Sequence, residues 1–247
     1  MTSSPSASAK RLRILHTNDL HGHFTPARAD ALRPVRESCD LYFDCGDLIK
    51  TGNLGVPLSP DPAWPLLAAL QCSASVIGNR ETHLMEIPFR AKLDGAAHPV
   101  LCANLRRSSG AIALPGTWST TINDLRVSVV GVSVAMVTKR MAASAVSAYL
   151  WEDPIATAIA EAERLRGQAD VLIALTHIGL PQDKRLAEAT DLYDLILGGH
   201  SHDVVSSPIQ VNKSWIGQAG SHGRFFGLYE YDAIHRELTG EVRPWLT

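Results

Sequence analysis

The sequence predicts an α/β fold with a mixed sheet. Three observations predict it: short apolar runs that each end in a polar cluster, helical periodicity between two such runs, and a two-residue Asn-Asp turn joining two strand-like segments. In chain order, Arg11 to Leu15 is the first predicted strand, and a helix follows it. Asp40 to Phe43 is a short second strand that runs into Asp44-Cys45-Gly46-Asp47. A loop rich in Gly and Pro then reaches Asp61, and a helix is predicted from about Pro62 to Leu70. Ser75 to Ile77 ends at Gly78-Asn79, and Pro99 to Ala103 is the next strand. Thr117 to Ile122 and Leu125 to Val132 read as a hairpin around Asn123-Asp124. Asp153 caps a helix whose first turn takes Pro154, and Ile155, Ile159, Ala162 and Leu165 recur on one face up to Gly167. Val171 to Leu175 leads into His177, Tyr193 to Leu197 leads into Gly199-His200-Ser201-His202, and closing strands are predicted around Val211, Trp215 to Gln218 and Phe225 to Tyr231.

Composition narrows the function. A chain of 247 residues with 45% hydrophobic residues can bury the core of one domain, expected over residues 11–247 behind a disordered tail from Met1 to Lys10. Lys and Arg (23) against Asp and Glu (25) give a net charge of −2, so nucleic-acid polymers are not expected partners. Cys39, Cys45, Cys72 and Cys102 show no CxxC pairing and are expected as buried thiols in a reducing compartment. With no signal-like apolar segment and no run near the ~18 apolar residues of a membrane span, the expectation is a soluble, cytoplasmic protein without a membrane partner.

The polar clusters carry the chemistry. His16-Thr17-Asn18-Asp19-Leu20-His21-Gly22, Gly46-Asp47, Gly78-Asn79, Thr176-His177 and Gly199-His200-Ser201-His202 each follow an apolar run. Open α/β sheets place their sites at the carboxyl ends of such strands. Asp19, His21, Asp47, Asn79, His177, His200 and His202 offer an oxygen and nitrogen donor set suited to two divalent first-row ions. Alternation along an extended segment would aim Asp19 and His21 to one side, and the same spacing recurs at His200 and His202. The adjacent glycines let backbone pass close to the ions.

The order Asp-x-His, Gly-Asp, Gly-Asn, a lone His and Gly-His-x-His, from Leu12 to about Glu241, resembles the calcineurin-like metallophosphoesterases, and LHTNDLHG resembles their 5'-nucleotidase branch. The resemblance implies a four-layer αββα sandwich with two mixed sheets. It also implies Asp19, His21 and His202 on one metal, Asn79, His177 and His200 on the other, and Asp47 bridging. The expected cofactors are two divalent transition-metal ions, with manganese, iron and zinc favoured. The expected function is hydrolysis of a small soluble phosphoester, a nucleotide or related phosphate, by a metal-bridging hydroxide. The alternatives are a phosphodiesterase or pyrophosphatase, and a metal-binding regulatory protein without turnover.

One position departs from that pattern. Where the family usually has His after the metal-binding Asn, and nucleotidases pair it with an Asp three residues later, this chain has Arg80 and His83. Arg80 can hold a phosphoryl oxygen but cannot give up a proton. A helix starting at Glu81-Thr82 would place His83 one turn away, on the same face, as the acid. Of the other residues, His16 is expected to make a structural hydrogen bond at a strand end, and His98 and His235 to be ordinary. His23 could line the mouth of the site, and His222, in a glycine-rich turn, is read as adjacent to it. Phe24, Trp64, Trp151 and Phe226 are expected in the core.

Overall fold

Alternation along the strands divides their side chains between separate cores. In the computed structural model, which describes residues 10–245, Leu12 and Ile14 of β1 (Arg11–Thr17) face one core while Leu15 faces another. Leu41 and Phe43 of β2 (Leu41–Asp44) part from Tyr42 in the same way. In β9 (Val171–His177), Val171, Ile173 and Leu175 part from Leu172 and Ala174. A strand buried on both faces has no polar side, which is why β2 and β9 read as near-continuous apolar runs, whereas β1 keeps Arg11 and Arg13 exposed.

The strands form two six-stranded sheets. The first has the order β14-β13-β1-β2-β3-β4, with β3 (Ala74–Val76), β4 (Val100–Leu101), β13 (Phe225–Asp232) and β14 (Glu237–Pro244). The second has the order β11-β12-β10-β9-β7-β6, with β6 (Thr117–Ile122), β7 (Leu125–Ser133), β10 (Leu195–Gly198), β11 (Ile209–Val211) and β12 (Ser214–Gln218). Both are mixed: parallel central strands are flanked by antiparallel pairs such as β1 with β13 and β6 with β7. One core lies between the sheets. A second lies under α1 (Pro26–Glu37), α2 (Ala63–Ala69) and α3 (Glu86–Leu93), and a third under α4 (Pro154–Leu165) and α5 (Leu180–Ala189). Three cores separate four layers, giving an αββα sandwich.

Most predicted elements are present, with shifted ends. The β6–β7 hairpin closes through Asn123 and Asp124, both left-handed as a two-residue turn of this type requires. Asp153 caps α4 by accepting the Ala156 N–H at 2.8 Å. The Pro99 to Ala103 strand is shorter, and a small sheet pairs β5 (Leu105–Arg107) with β8 (Tyr149–Trp151). The helix predicted at Glu81-Thr82 is absent: Arg80 and Glu81 form a turn, and α3 begins at Glu86. The tail predicted over Met1 to Lys10 lies outside the described residues except for Lys10. All four cysteines are buried and free, and burial pushes the Cys102 thiol up to about 12. No helix among the described residues is long and apolar enough to cross a membrane.

One buried acid makes stability depend on pH. Asp183, in the first turn of α5, accepts Thr176 Oγ1 at 2.6 Å and packs its other oxygen, which lacks a partner, against Gly198. Burial raises its pKa from 3.8 to about 7, against the opposing pull of Thr176 and His177. The folded form therefore holds a proton that the unfolded chain releases, and stability falls as pH rises from about 4 through 7. Asp183→Asn removes this dependence. In denaturant titrations of the metal-free protein, the variant should gain on the parent from pH 5 to pH 7 by up to about 1.4 kcal/mol per unit. A gap independent of pH would contradict the assignment.

Candidate metal centre

The predicted ligands meet where the two sheets present the carboxyl ends of their central strands. Loops there are stitched by backbone hydrogen bonds: Asp19 N–H to Gly46 O at 2.9 Å, His21 N–H to Asp47 O at 2.8 Å and His222 N–H to Asp19 O at 2.7 Å. The alternation expected for Asp19 and His21 is not the device that aims them. Both are left-handed, with φ of 52° and 50°, as are Asp47, His200, His202 and His222. These are six of the eleven non-glycine residues with positive φ among the described residues, and such strain gathers where function over-determines the backbone. At these residues the backbone turns sharply after its strand, and their own side chains converge.

The geometry brings all seven together in two overlapping groups. His21 Nε2 and His202 Nε2 lie 2.9 Å apart, and Asp19 Oδ1 is 3.7 and 3.3 Å from them. On the other side, Asn79 Oδ1 is 3.0 Å from His200 Nδ1 and 3.3 Å from His177 Nε2. Asp47 lies between, its Oδ1 3.5 Å from His177 Nε2 and its Oδ2 3.8 Å from His21 Nδ1. His177 gives its Nδ1 proton to Cys45 O at 2.7 Å, so in the neutral ring the bare Nε2 faces two acceptor oxygens. Asp19 Oδ1 and His21 Nδ1 are buried without a hydrogen-bond partner. Converging lone pairs and orphaned donor atoms are what a divalent ion needs, so these residues fit the two-metal expectation.

Charge in the cluster is consistent with that. Burial, reinforced by Arg80, lowers the His21 pKa to about 3, which keeps its imidazole neutral and available to an ion. Burial opposes ionisation of Asp19, but His202, His177, Asn18 and the His200 N–H together pull its pKa below normal. The hydrogen bond to Asp19 in turn raises the His202 pKa, and an ion there would take the neutral ring.

A supporting layer was not anticipated. Asn18 donates to Asp19 Oδ2 at 2.8 Å, and Asn53 Oδ1 accepts from Asn79 Nδ2 at 3.0 Å, turning the Asn79 oxygen inward. Glu81, buried, accepts the backbone N–H groups of Asp47, Ile49 and Gly78 at 2.9, 3.1 and 2.8 Å. Buried Lys92 donates to the carbonyls of Gly52, Asn53, Arg80 and Thr82 at 2.7 to 2.9 Å. Gly78 is required, because a Cβ there would lie 2.2 Å from Asp47 Oδ1.

The two residues expected to act on substrate part company. Arg80 stays at the site: its N–H donates to Asp47 Oδ1 at 2.7 Å and its Nη1 to Lys50 O at 3.0 Å, while Nε and Nη2 have no partner among the described residues. His83 loses the helical turn that was to carry it. Its Nδ1 accepts the Met85 N–H at 3.0 Å, and it makes no hydrogen bond or ring contact with any of the seven. His222 comes closer than expected, with its ring centroid 4.7 Å from that of His21, and His23 lies 5.3 Å beyond it, exposed. His16 is fully buried with neither ring nitrogen in good hydrogen-bonding geometry, and burial lowers its pKa to about 3 against the opposing pull of Asp19 and the Gly198 backbone. Phe24, Trp64, Trp151 and Phe226 are core residues.

Known proteins place this geometry. The family model for calcineurin-like phosphoesterases matches residues 12–204. The chain belongs to the calcineurin-like phosphoesterase family. Among relatives of this chain, an uncharacterized metallophosphoesterase of Bacillus subtilis, YunD, is 28% identical over 250 residues, covering 94% of this chain and 53% of that protein. A 5'-nucleotidase of Vibrio cholerae is 26% identical over 278 residues, covering 92% and 50%. The fold of a 5'-nucleotidase precursor from Thermus thermophilus superimposes with a TM-score of 0.75 at 20% identity, over 95% of this chain and 54% of that one. The chain thus spans about half the length of these relatives.

Proposed function

We propose that the chain is a two-metal hydrolase of a small soluble phosphoester, a nucleotide or a related phosphate. The observation that carries this reading is the convergence of bare donor atoms from His21, His202 and Asp19 on one side of Asp47 and from His177, His200 and Asn79 on the other. Two divalent ions, when bound, would lower the pKa of water and draw charge from the phosphoryl oxygens. Asp47 offers one carboxylate oxygen to each group, which suits a bridge. Imidazoles fill the other positions without adding negative charge that would repel a phosphate. Arg80 would hold a nonbridging oxygen with its free Nε and Nη2 donors, fixed by Lys50 O and close to where charge builds. The oxygen and nitrogen donor set suits manganese, iron or zinc. The cytoplasm is the proposed location, and the four buried thiols suit it.

A diester or pyrophosphate substrate is the second reading. It is favoured by Arg80, which cannot protonate a leaving alkoxide, together with the displacement of His83. A panel of alkyl and aryl monoesters, diesters and pyrophosphates with added metals separates these readings. Arg80→Ala should lower turnover on every substrate by about 10²–10³, and the parent should depend steeply on leaving-group pKa. Equal rates on alkyl and aryl esters would overturn the role assigned to Arg80. Ions bound with no turnover on any substrate would favour a regulatory protein instead.

A further inference from the structure

We infer that His222 supplies a third imidazole to the ion held by Asp19, His21 and His202. The inference rests on the two-metal reading above and adds an eighth side chain to the seven that the sequence motifs single out. A ring nitrogen of His222 lies within 4.8 Å of the ring nitrogens of both His21 and His202, and no other histidine among the described residues joins that group. Its ring centroid is 4.7 Å from that of His21 and 5.6 Å from that of His202, the latter edge-on at 89°.

Three further features direct the ring inward. His222 is left-handed, with a φ of 60°, like five of the seven expected ligands. Its N–H is tied to the Asp19 carbonyl at 2.7 Å, so its backbone is registered on the loop that carries Asp19 and His21. Its Nδ1 is held at 2.9 Å by the hydroxyl of buried Ser221, which itself accepts Arg224 Nη2 at 3.2 Å. A hydrogen bond on one ring nitrogen leaves the other for an ion, the arrangement that orients metal-binding imidazoles.

The consequence is asymmetry. The Asp19 side would have three imidazoles and two carboxylates, counting the Asp47 bridge, whereas the His177 side would have two imidazoles, the Asn79 amide and the same bridge. A site with more ligands binds more tightly, so the His177 side would be the one that exchanges its ion.

Cobalt(II) titration of the metal-free full-length protein, followed by calorimetry and visible absorption, tests this. His222→Gly and His222→Asn both tolerate the left-handed backbone. Each should weaken one of two ions by about tenfold or more, leave the other unchanged, and move the absorption to longer wavelength as water replaces imidazole. His23→Asn, at the exposed neighbouring ring, should change neither. Two ions bound as in the parent by both His222 variants would overturn the inference. So would equal weakening of both ions accompanied by a lower melting temperature of the metal-free protein, which is the result of a structural role. If the parent itself binds fewer than two ions, the two-metal reading fails and this inference with it.

Discussion

Asp47→Asn is expected to lower turnover more than the loss of any other single ligand. Its two oxygens face different groups, 3.5 Å from His177 Nε2 and 3.8 Å from His21 Nδ1, so one substitution loosens both. The amide can still accept the Arg80 N–H through its oxygen, which isolates the lost charge and the lost second oxygen from the fold of the loop. Asn18→Ala, which removes a partner of Asp19 along with the bonds of Asn18 to Gly220 O and the Ala219 N–H, should cost roughly 10–100-fold. The Asp47 variant should exceed that on the same substrate and bind less than two ions per chain. An Asp47→Asn protein as active as Asn18→Ala would remove the bridge from this account.

Lys92→Met is expected to have the largest effect on stability. Its ammonium shares three protons among four carbonyls of the 52–53 and 80–82 segments; Gly52 O also accepts the Gly55 N–H, but those of Asn53, Arg80 and Thr82 have no other donor among the described residues. Methionine fills similar volume but donates nothing, so the loss should be roughly 3 to 5 kcal/mol in urea titrations. Ion affinity should fall as well, because these segments carry Asn53, which orients Asn79, and Arg80. A variant within about 1 kcal/mol of the parent would mean that water satisfies those carbonyls.

The seven candidate positions, which the structure gathers into one cluster, were legible because metal chemistry restricts residue type and because each follows an apolar strand. The sandwich was legible in part for the same reason: strands buried on both faces, such as Val171 to Leu175, announce themselves. The mechanism by which Asp19 and His21 converge was not, since extended alternation and a left-handed turn give the same two-residue spacing. The role of Glu81, read as a helix start, and that of Lys92 were not legible because their partners are backbone groups brought from distant segments, which no local pattern records. β14 escaped because an edge strand with mostly exposed side chains, Glu237 to Pro244, has no apolar period. His222 was visible only as a histidine in a glycine-rich turn. Its place beside His21 depends on a contact between residues about two hundred positions apart.

The central claim is that the seven side chains hold two ions, and ion stoichiometry tests it most directly. The purified protein, stripped with chelator, reconstituted with excess manganese or zinc and freed of unbound ion, should retain two ions per chain by elemental analysis. The same preparation should regain phosphoester hydrolysis in step with the second ion. Retention of one ion or none after reconstitution, in a protein that remains folded, would contradict the account.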